Sequence, residues 1–156
     1  RVQNVASHAG EPVADIEVRP GALRGIAVPN ELVASAIDEF PVLFAAAAVA
    51  AGETLVTGAA ELRVKESDRI AVMAGGLTAL GVSVEALPDG MRIRGGPVQG
   101  GVVESRGDHR VAMAFAVLAA RASAPVVVRD VQNVATSFPG FAATARLAGL
   151  DLAEEG

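Results

Sequence analysis

The sequence predicts an α/β fold in which buried helices alternate with strands, and three observations support this prediction. A nearly uncharged run of about 13 residues, from Phe40 to Gly52, has the composition of a helix covered on every side. Short valine-rich segments that resemble strands recur along the chain. Residue identities also recur 70 positions apart, as in the pairs Asp38/Asp108 and Ser67/Ser137. A repeat of this length indicates duplicated supersecondary units.

The composition fits a single domain over residues 1–156. Hydrophobic residues make up 51% and charged residues 20% of the chain, which is enough for a core without disulfides or metals. The absence of cysteine fits a reducing, cytoplasmic setting, and the net charge of −5 argues against a nucleic-acid partner. The apolar run is shorter than the roughly 20 residues of a spanning helix, so we expect no membrane partner. The chain begins at Arg1 without methionine, as a piece of a longer protein would.

In the first part of the chain, short strands surround the apolar helix. Residues 15–20 and 25–30 have strand-like patterns separated by turn residues, and residues 54–58 form a further short strand. Pro41 falls in the first turn of the apolar helix, where its missing N–H does no harm.

A second helix and a hairpin follow. Residues 67–81 carry apolar side chains at helical spacing, with Ser67 able to cap the start and Gly81 the end. Residues 82–95 alternate around a Pro-Asp-Gly turn, which predicts a hairpin with one face in water.

The pattern then returns in the last third of the chain. Residues 108–122 predict a mostly apolar helix, residues 126–130 a strand, and residues 137–150 a helix that ends at Gly149. Each predicted unit therefore consists of a helix, a strand, a helix and a strand in that order, and the first unit has one further strand. The predicted internal repeat spans roughly residues 31–100 and 101–156.

Charged and polar residues collect at the predicted N-terminal ends of these helices. Helix N-termini carry free N–H groups, so several of them beside lysine and arginine predict an anion site, and neighbouring carboxylates supply acid–base groups. The residues concerned are Asp38, Lys65, Glu66, Ser67, Asp68, Arg69, Asp108, His109 and Arg110.

A plainer interpretation of the same residues stays open. Asp38 and Asp108 are good helix caps in any protein. The charged run 65–69 fits a solvated loop, and His109 fits an ordinary packing residue. No metal-ligand spacing and no phosphate-loop motif occurs. The residues by themselves predict the anion-binding end of a duplicated α/β domain.

Four segments closely resemble motifs of the 5-enolpyruvylshikimate-3-phosphate synthases, in the order and spacing of that family. They are "IDEFPVL" (37–43), "ELRVKESDRI" (61–70), "DHRVAMAF" (108–115) and "ATSFPGF" (135–141). The family has two domains of three βαβαββ-type units, with helices inside and sheets outside, an inside-out α/β barrel. The resemblance implies that this chain is the C-terminal part, with about two units present, and that the N-terminal domain is its missing partner.

The resemblance also implies an activity and a role for each site residue. The family transfers enolpyruvyl from phosphoenolpyruvate to the 5-hydroxyl of shikimate 3-phosphate in aromatic amino acid biosynthesis, without cofactor or metal. By motif matching, Asp38 is the catalytic base at the hydroxyl and Glu66 is the catalytic acid that protonates the methylene carbon. Arg69 and Arg110 match the arginines that grip the phosphoenolpyruvate carboxylate. The substrate-binding set is Asp38, Lys65, Arg69, His109 and Arg110.

Two points limit what the resemblance implies. Many relatives carry lysine where this sequence has Thr136, so the phosphate contact of that lysine is in doubt here. The isolated chain has one side of a cleft, so we expect it to be inactive and its site cations to be exposed to solvent. The alternatives are a non-catalytic anion-binding fragment and a cell-wall UDP-N-acetylglucosamine enolpyruvyl transferase, against which "RVKESDR" argues.

Overall fold

The computed structural model describes residues 1–154 and alternates helices with short strands, so the predicted α/β class is confirmed. The strands are β1 (Val2–His8), β2 (Glu11–Ile16), β3 (Glu53–Val56), β4 (Ser83–Leu87), β5 (Gly90–Arg94), β6 (Gly101–Glu104) and β7 (Val126–Arg129). The helices are α1 (Asn30–Val33), α2 (Phe40–Ala48), α3 (Arg69–Ala79), α4 (His109–Ala119), α5 (Gln132–Ser137) and α6 (Phe141–Leu147). No helix within residues 1–154 is both long and apolar enough to cross a bilayer.

The strands pair in three separate small sheets. β1 and β2 form an antiparallel hairpin, β3, β5 and β4 form an antiparallel sheet in that order, and β6 pairs parallel with β7. The predicted hairpin over residues 82–95 is confirmed as β4–β5. Met91 and Ile93 face the core, while Arg92 on the other face pairs with carboxylates of both neighbouring strands. One face of this sheet is therefore in water, as predicted.

The two strands predicted early in the chain are largely wrong. The segment predicted at 15–20 leaves the sheet after Ile16, because Ile16 lies opposite Val2, the first residue of its partner strand. The segment predicted at 25–30 makes only isolated parallel bridges, as at Ala27, and ends at Pro29, which has no N–H for a ladder.

The core is formed by α2, α3 and α4, with the β3–β5–β4 and β6–β7 sheets packed on the outside. α2 lies against α4, α3 covers β4 and β6, and α4 covers β7. The prediction that α2 is covered on every side is wrong at Val42. Val42 is 45% exposed and Val117 of α4 is 43% exposed, because nothing in residues 1–154 packs over that side of the helix pair. Fully buried core side chains include Phe40, Phe44, Met73, Leu77 and Phe115.

The ends of α3 show which local signals decide a helix boundary. The cap is Asp68 instead of the predicted Ser67, because the Asp68 carboxylate accepts the N–H of Ala71 at 2.9 Å. The predicted end at Gly81 is confirmed. Gly81 has φ of +80° and donates to the carbonyl of Thr78, which is the usual glycine ending of a helix.

The helix predicted over residues 137–150 begins later than predicted, as α6 at Phe141, and α5, which was not predicted, ends at Ser137. Pro139 disfavours the helical conformation of the residue before it, and Phe138 is accordingly extended, with φ of −143° and ψ of 79°. Gly149 follows the second helix with φ of +92°, as expected of a helix end.

The order of elements supports the predicted repeat. β6 and β7 pair in parallel around α4, and residues 24–27 bridge in parallel to the strand region that follows α2. In each case a helix connects two parallel segments and a second helix follows. The single domain over residues 1–156 and the boundaries 31–100 and 101–156 stay predictions.

Neighbouring glycines of α3 provide a test of this packing. A Cβ on Gly76 would lie 2.2 Å from Cζ of Phe115, while a Cβ on Gly75 would meet no atom within 4 Å. Gly76→Ala should therefore lower the free energy of unfolding by about 1–3 kcal/mol through overpacking. Gly75→Ala should raise it by about 0.5–1 kcal/mol, because alanine restricts the unfolded chain. Urea denaturation of both variants measures the two effects, and changes of the same sign would contradict the helix contact.

Candidate active site

Three segments bring their charged residues together at one end of the buried helices. They are the N-termini of α3 and α4 and the short 3₁₀ turn Ile37–Glu39 that leads into α2. Asp38 lies in that turn and makes no cap bond, so the helix-cap interpretation is wrong for Asp38. It is right for Asp108, whose carboxylate accepts two backbone N–H groups of α4.

Arg69 is the centre of the cluster. Its Nε donates to Asp108 at 2.8 Å, its Nη1 to Asp38 at 3.1 Å, and its Nη2 to Glu66 at 2.5 Å. The side chain is 0% exposed, so the expectation that the site cations face solvent is wrong for Arg69. Burial alone would lower the pKa of Arg69, but the adjoining carboxylates raise it. The guanidinium group is buried because carboxylates replace the water that would otherwise solvate it.

Asp108 joins the N-terminal ends of α3 and α4 through one carboxylate. Its Oδ2 accepts from Nε of Arg69 and, at 3.0 Å, from the hydroxyl of Ser67. Its Oδ1 accepts from the backbone N–H groups of Arg110 and Val111 at 3.0 and 3.3 Å. Burial by itself raises the pKa of Asp108, but these hydrogen bonds and the charge of Arg69 outweigh it and lower the pKa. The carboxylate is therefore held ionised.

The carboxylate of Asp38 lies close to three cations, which come from different segments of the chain. Its Oδ1 lies 3.1 Å from Nη1 of Arg69 and 3.7 Å from Nζ of Lys65, and its Oδ2 lies 3.8 Å from Nη2 of Arg110. Burial by itself raises the pKa of Asp38, but the Arg69 hydrogen bond and the charges of Lys65 and Arg110 lower it. The two arginines, far apart in sequence, thus reach the two oxygens of one carboxylate.

Each outer cation also has a second acidic partner. Nζ of Lys65 lies 2.5 Å from Glu61, and Nη1 of Arg110 lies 3.1 Å from Glu39 and from the carbonyl oxygen of Asp38. The hydrogen bond to Glu61 raises the pKa of Lys65. The side chains of Lys65 and Arg110 remain 23% and 33% exposed, so both can be reached by a dissolved anion.

The remaining predicted residues lie at the edge of the cluster. His109 is the first residue of α4 and is half-buried, and no hydrogen bond among residues 1–154 involves its imidazole. Thr136 is exposed on α5. Asp108 was predicted to lie in the polar cluster and to be able to cap α4, but its contact with Arg69 and the contacts of Ser67, Glu61 and Glu39 were not predicted. The position of Asp108 directly before His109 and Arg110 was the one available signal for its place in the site.

Chemically, the cluster offers three cations for an anionic ligand and two half-exposed carboxylates for proton transfer. The carboxylates are those of Asp38 and Glu66, whose side chains are 45% and 49% exposed. A small groove of about 110 Å³ beside Asp38 and Arg110 opens between α2 and α4.

The model of one protein family, EPSP synthase (3-phosphoshikimate 1-carboxyvinyltransferase), matches residues 4–144. The chain belongs to the EPSP synthase family. The 3-phosphoshikimate 1-carboxyvinyltransferase of Halorhodospira halophila is 64% identical over 148 residues, which are 94% of this chain and 33% of that protein. The enzyme of the same name from Alkalilimnicola ehrlichii is 62% identical over 153 residues, or 97% of this chain and 34% of the relative.

A solved EPSP synthase structure agrees with the fold. The EPSP synthase of Acinetobacter baumannii superposes with a TM-score of 0.93 at 48% identity, over 96% of this chain and 36% of that one. The chain thus spans about a third of the length of the EPSP synthases that it matches.

Proposed function

We propose that this chain is the part of a 3-phosphoshikimate 1-carboxyvinyltransferase that carries one side of its active site. The longer protein transfers enolpyruvyl from phosphoenolpyruvate to the 5-hydroxyl of shikimate 3-phosphate. The observation that supports this most directly is the convergence of Arg69 and Arg110 on the carboxylate of Asp38, beside Lys65 and Glu66. Cations and acid–base groups in one small volume are what a reaction between two anionic substrates needs.

The proposed reaction has an addition and an elimination. Asp38 removes the proton of the 5-hydroxyl, whose oxygen bonds to C2 of phosphoenolpyruvate, while Glu66 donates a proton to C3. In the elimination, a carboxylate of the site takes a proton from C3, the double bond re-forms, and the C2–O bond to phosphate breaks to release phosphate. Arg69 and Arg110 hold the carboxylate of phosphoenolpyruvate, and Lys65 lies beside the attacking hydroxyl. His109 adjoins the substrates from the first turn of α4.

The partners of the chain follow from the same proposal. They are the two small-molecule substrates and the part of the enzyme that this chain does not contain, including the N-terminal domain with its own substrate ligands. We also propose a cytoplasmic location. The names and high identity of the relatives favour the synthase over the cell-wall enolpyruvyl transferase.

The isolated chain should behave as a non-catalytic anion-binding fragment. Groups from several sides must hold the reacting atoms, and this chain supplies one side. We expect no phosphate release from the two substrates above the level of an Asp38→Asn control. Turnover by the isolated chain would show that the site is complete without the rest of the enzyme.

A chimera tests the assigned activity. This chain replaces the matching third of the Halorhodospira halophila enzyme, whose 64% identity makes a correct join between the parts feasible. The expected result is formation of 5-enolpyruvylshikimate 3-phosphate and phosphate. The unmodified relative is the control. A chimera that has the circular dichroism and melting behaviour of the relative but no turnover would overturn the proposal.

A further inference from the structure

Arg69 carries more carboxylate partners than it can keep when an anionic ligand binds. All three of its nitrogens donate to carboxylates, and the side chain is 0% exposed. We infer that Glu66 is an exchangeable partner, which an incoming carboxylate or phosphate displaces from Nη2 of Arg69. Binding then releases the carboxylate of Glu66 from Arg69. This inference rests on the proposed function for the identity of the ligand.

Asp108 cannot be the partner that leaves. It is 0% exposed and accepts four hydrogen bonds, two of them from the first turn of α4. Taking it off Arg69 would leave a buried charge without its counter-ion, which is strongly destabilising. Asp38 is also held, since three cations adjoin its two oxygens.

Glu66 has the opposite properties. Its side chain is 49% exposed, and its single hydrogen bond among residues 1–154 is the one to Arg69. When Glu66 leaves, water solvates its half-exposed carboxylate and the incoming anion takes its place at the buried Nη2 of Arg69, so neither group loses its partner. Glu66 can therefore move into solvent at small cost in free energy.

The geometry also fixes how the ligand reaches Arg69. The guanidinium group is anchored at Nε by Asp108, so it cannot turn outward to meet a ligand. The ligand must come to Nη2, which Glu66 covers in this structure. A planar carboxylate or a phosphate can replace the oxygen of Glu66 at that atom with a hydrogen bond of the same kind.

The consequence is a competition that binding can measure. The unmodified chain must give up the Glu66–Arg69 pair before an anion binds, whereas a chain without that pair need not. Glu66→Gln should therefore bind phosphoenolpyruvate about 1.5- to fivefold more tightly, the range that corresponds to a partly exposed ion pair.

Two further variants separate displacement from a simple change of charge. Glu66→Asp keeps the negative charge but shortens the side chain by one carbon–carbon bond of about 1.5 Å, so its carboxylate lies beyond hydrogen-bond distance of Nη2 of Arg69. Glu85→Gln removes an exposed carboxylate that pairs with Arg92 on the outer sheet. Displacement predicts that both Glu66 variants bind more tightly and that Glu85→Gln binds like the unmodified chain.

The experiment is a calorimetric and NMR titration of the 156-residue chain and its variants with phosphoenolpyruvate and, separately, inorganic phosphate. In the unmodified chain, the carboxyl carbon signal of Glu66 should shift on binding, while the Nε–H signal of Arg69 stays slow to exchange. If Glu66→Asp binds the anions no more tightly than the unmodified chain, then the negative charge at position 66, and not its contact with Arg69, opposes binding. The inference then fails. It also fails if Glu66→Gln binds no more tightly than Glu85→Gln, or if no variant shows saturable binding.

The titration and the chimera assay fail independently. No turnover takes place in the titration. If the chimera is active but the Glu66 variants bind no more tightly, only the proposed exchange of Glu66 is refuted. An inactive chimera with a successful titration removes the proposed reaction and leaves Arg69 as an anion site covered by Glu66.

Discussion

Replacing Asp108 by alanine is expected to lower the free energy of unfolding of this chain by about 3–5 kcal/mol. The change removes the counter-ion of a guanidinium group that is 0% exposed and cannot gain water in its place. It also removes the cap of α4 and the acceptor of the Ser67 hydroxyl. One carboxylate thus supports the start of α4 and its contact with the start of α3.

Asp68→Ala is the matched control, because Asp68 also caps a helix of the core with its carboxylate. Its side chain is 38% exposed and pairs with the partly exposed Arg63 instead of a buried group. We expect this change to lower the free energy of unfolding by about 1 kcal/mol, as for an ordinary helix cap. Urea denaturation at neutral pH measures both. Equal losses would mean that Asp108 acts as a cap alone.

In the active chimera, Asp38→Asn is expected to reduce kcat by about 10²- to 10⁴-fold, the range for loss of a general base. Asparagine keeps the shape of aspartate and can still accept hydrogen bonds through its amide oxygen. It cannot accept the hydroxyl proton. The KM for phosphoenolpyruvate should not rise, because Arg69, Arg110 and Lys65 remain and one competing negative charge is lost.

Glu39→Gln is the matched control for Asp38→Asn. Glu39 is the next residue in the chain, and its 67% exposed side chain pairs with Arg110, so its loss changes the local charge by the same amount. An exposed pair contributes little, and we expect kcat to change by less than about tenfold. Steady-state kinetics with both substrates varied gives kcat and KM. A kcat of Asp38→Asn close to that of Glu39→Gln would remove Asp38 from the reaction.

Much of the fold follows from signals that act within a few residues. The helical spacing of apolar residues in 67–81 and 108–122, the turn between β4 and β5, and Gly81 as a helix end all predict what the structure contains. These signals work because backbone sterics and hydrophobic periodicity need no distant partner. Where a local rule was overlooked the prediction failed, as at Pro139, which lies between α5 and α6 inside the range predicted as one helix.

The sequence by itself therefore determined the α/β class, the core helices and, through its four motifs, the family and the candidate residues of the site. It did not determine that Arg69 is buried, that Asp38 caps no helix or that Asp108 joins the starts of α3 and α4. Those properties depend on contacts between residues far apart in the chain. Only the packing of α2, α3 and α4 brings the carboxylates close enough to replace water around one guanidinium group.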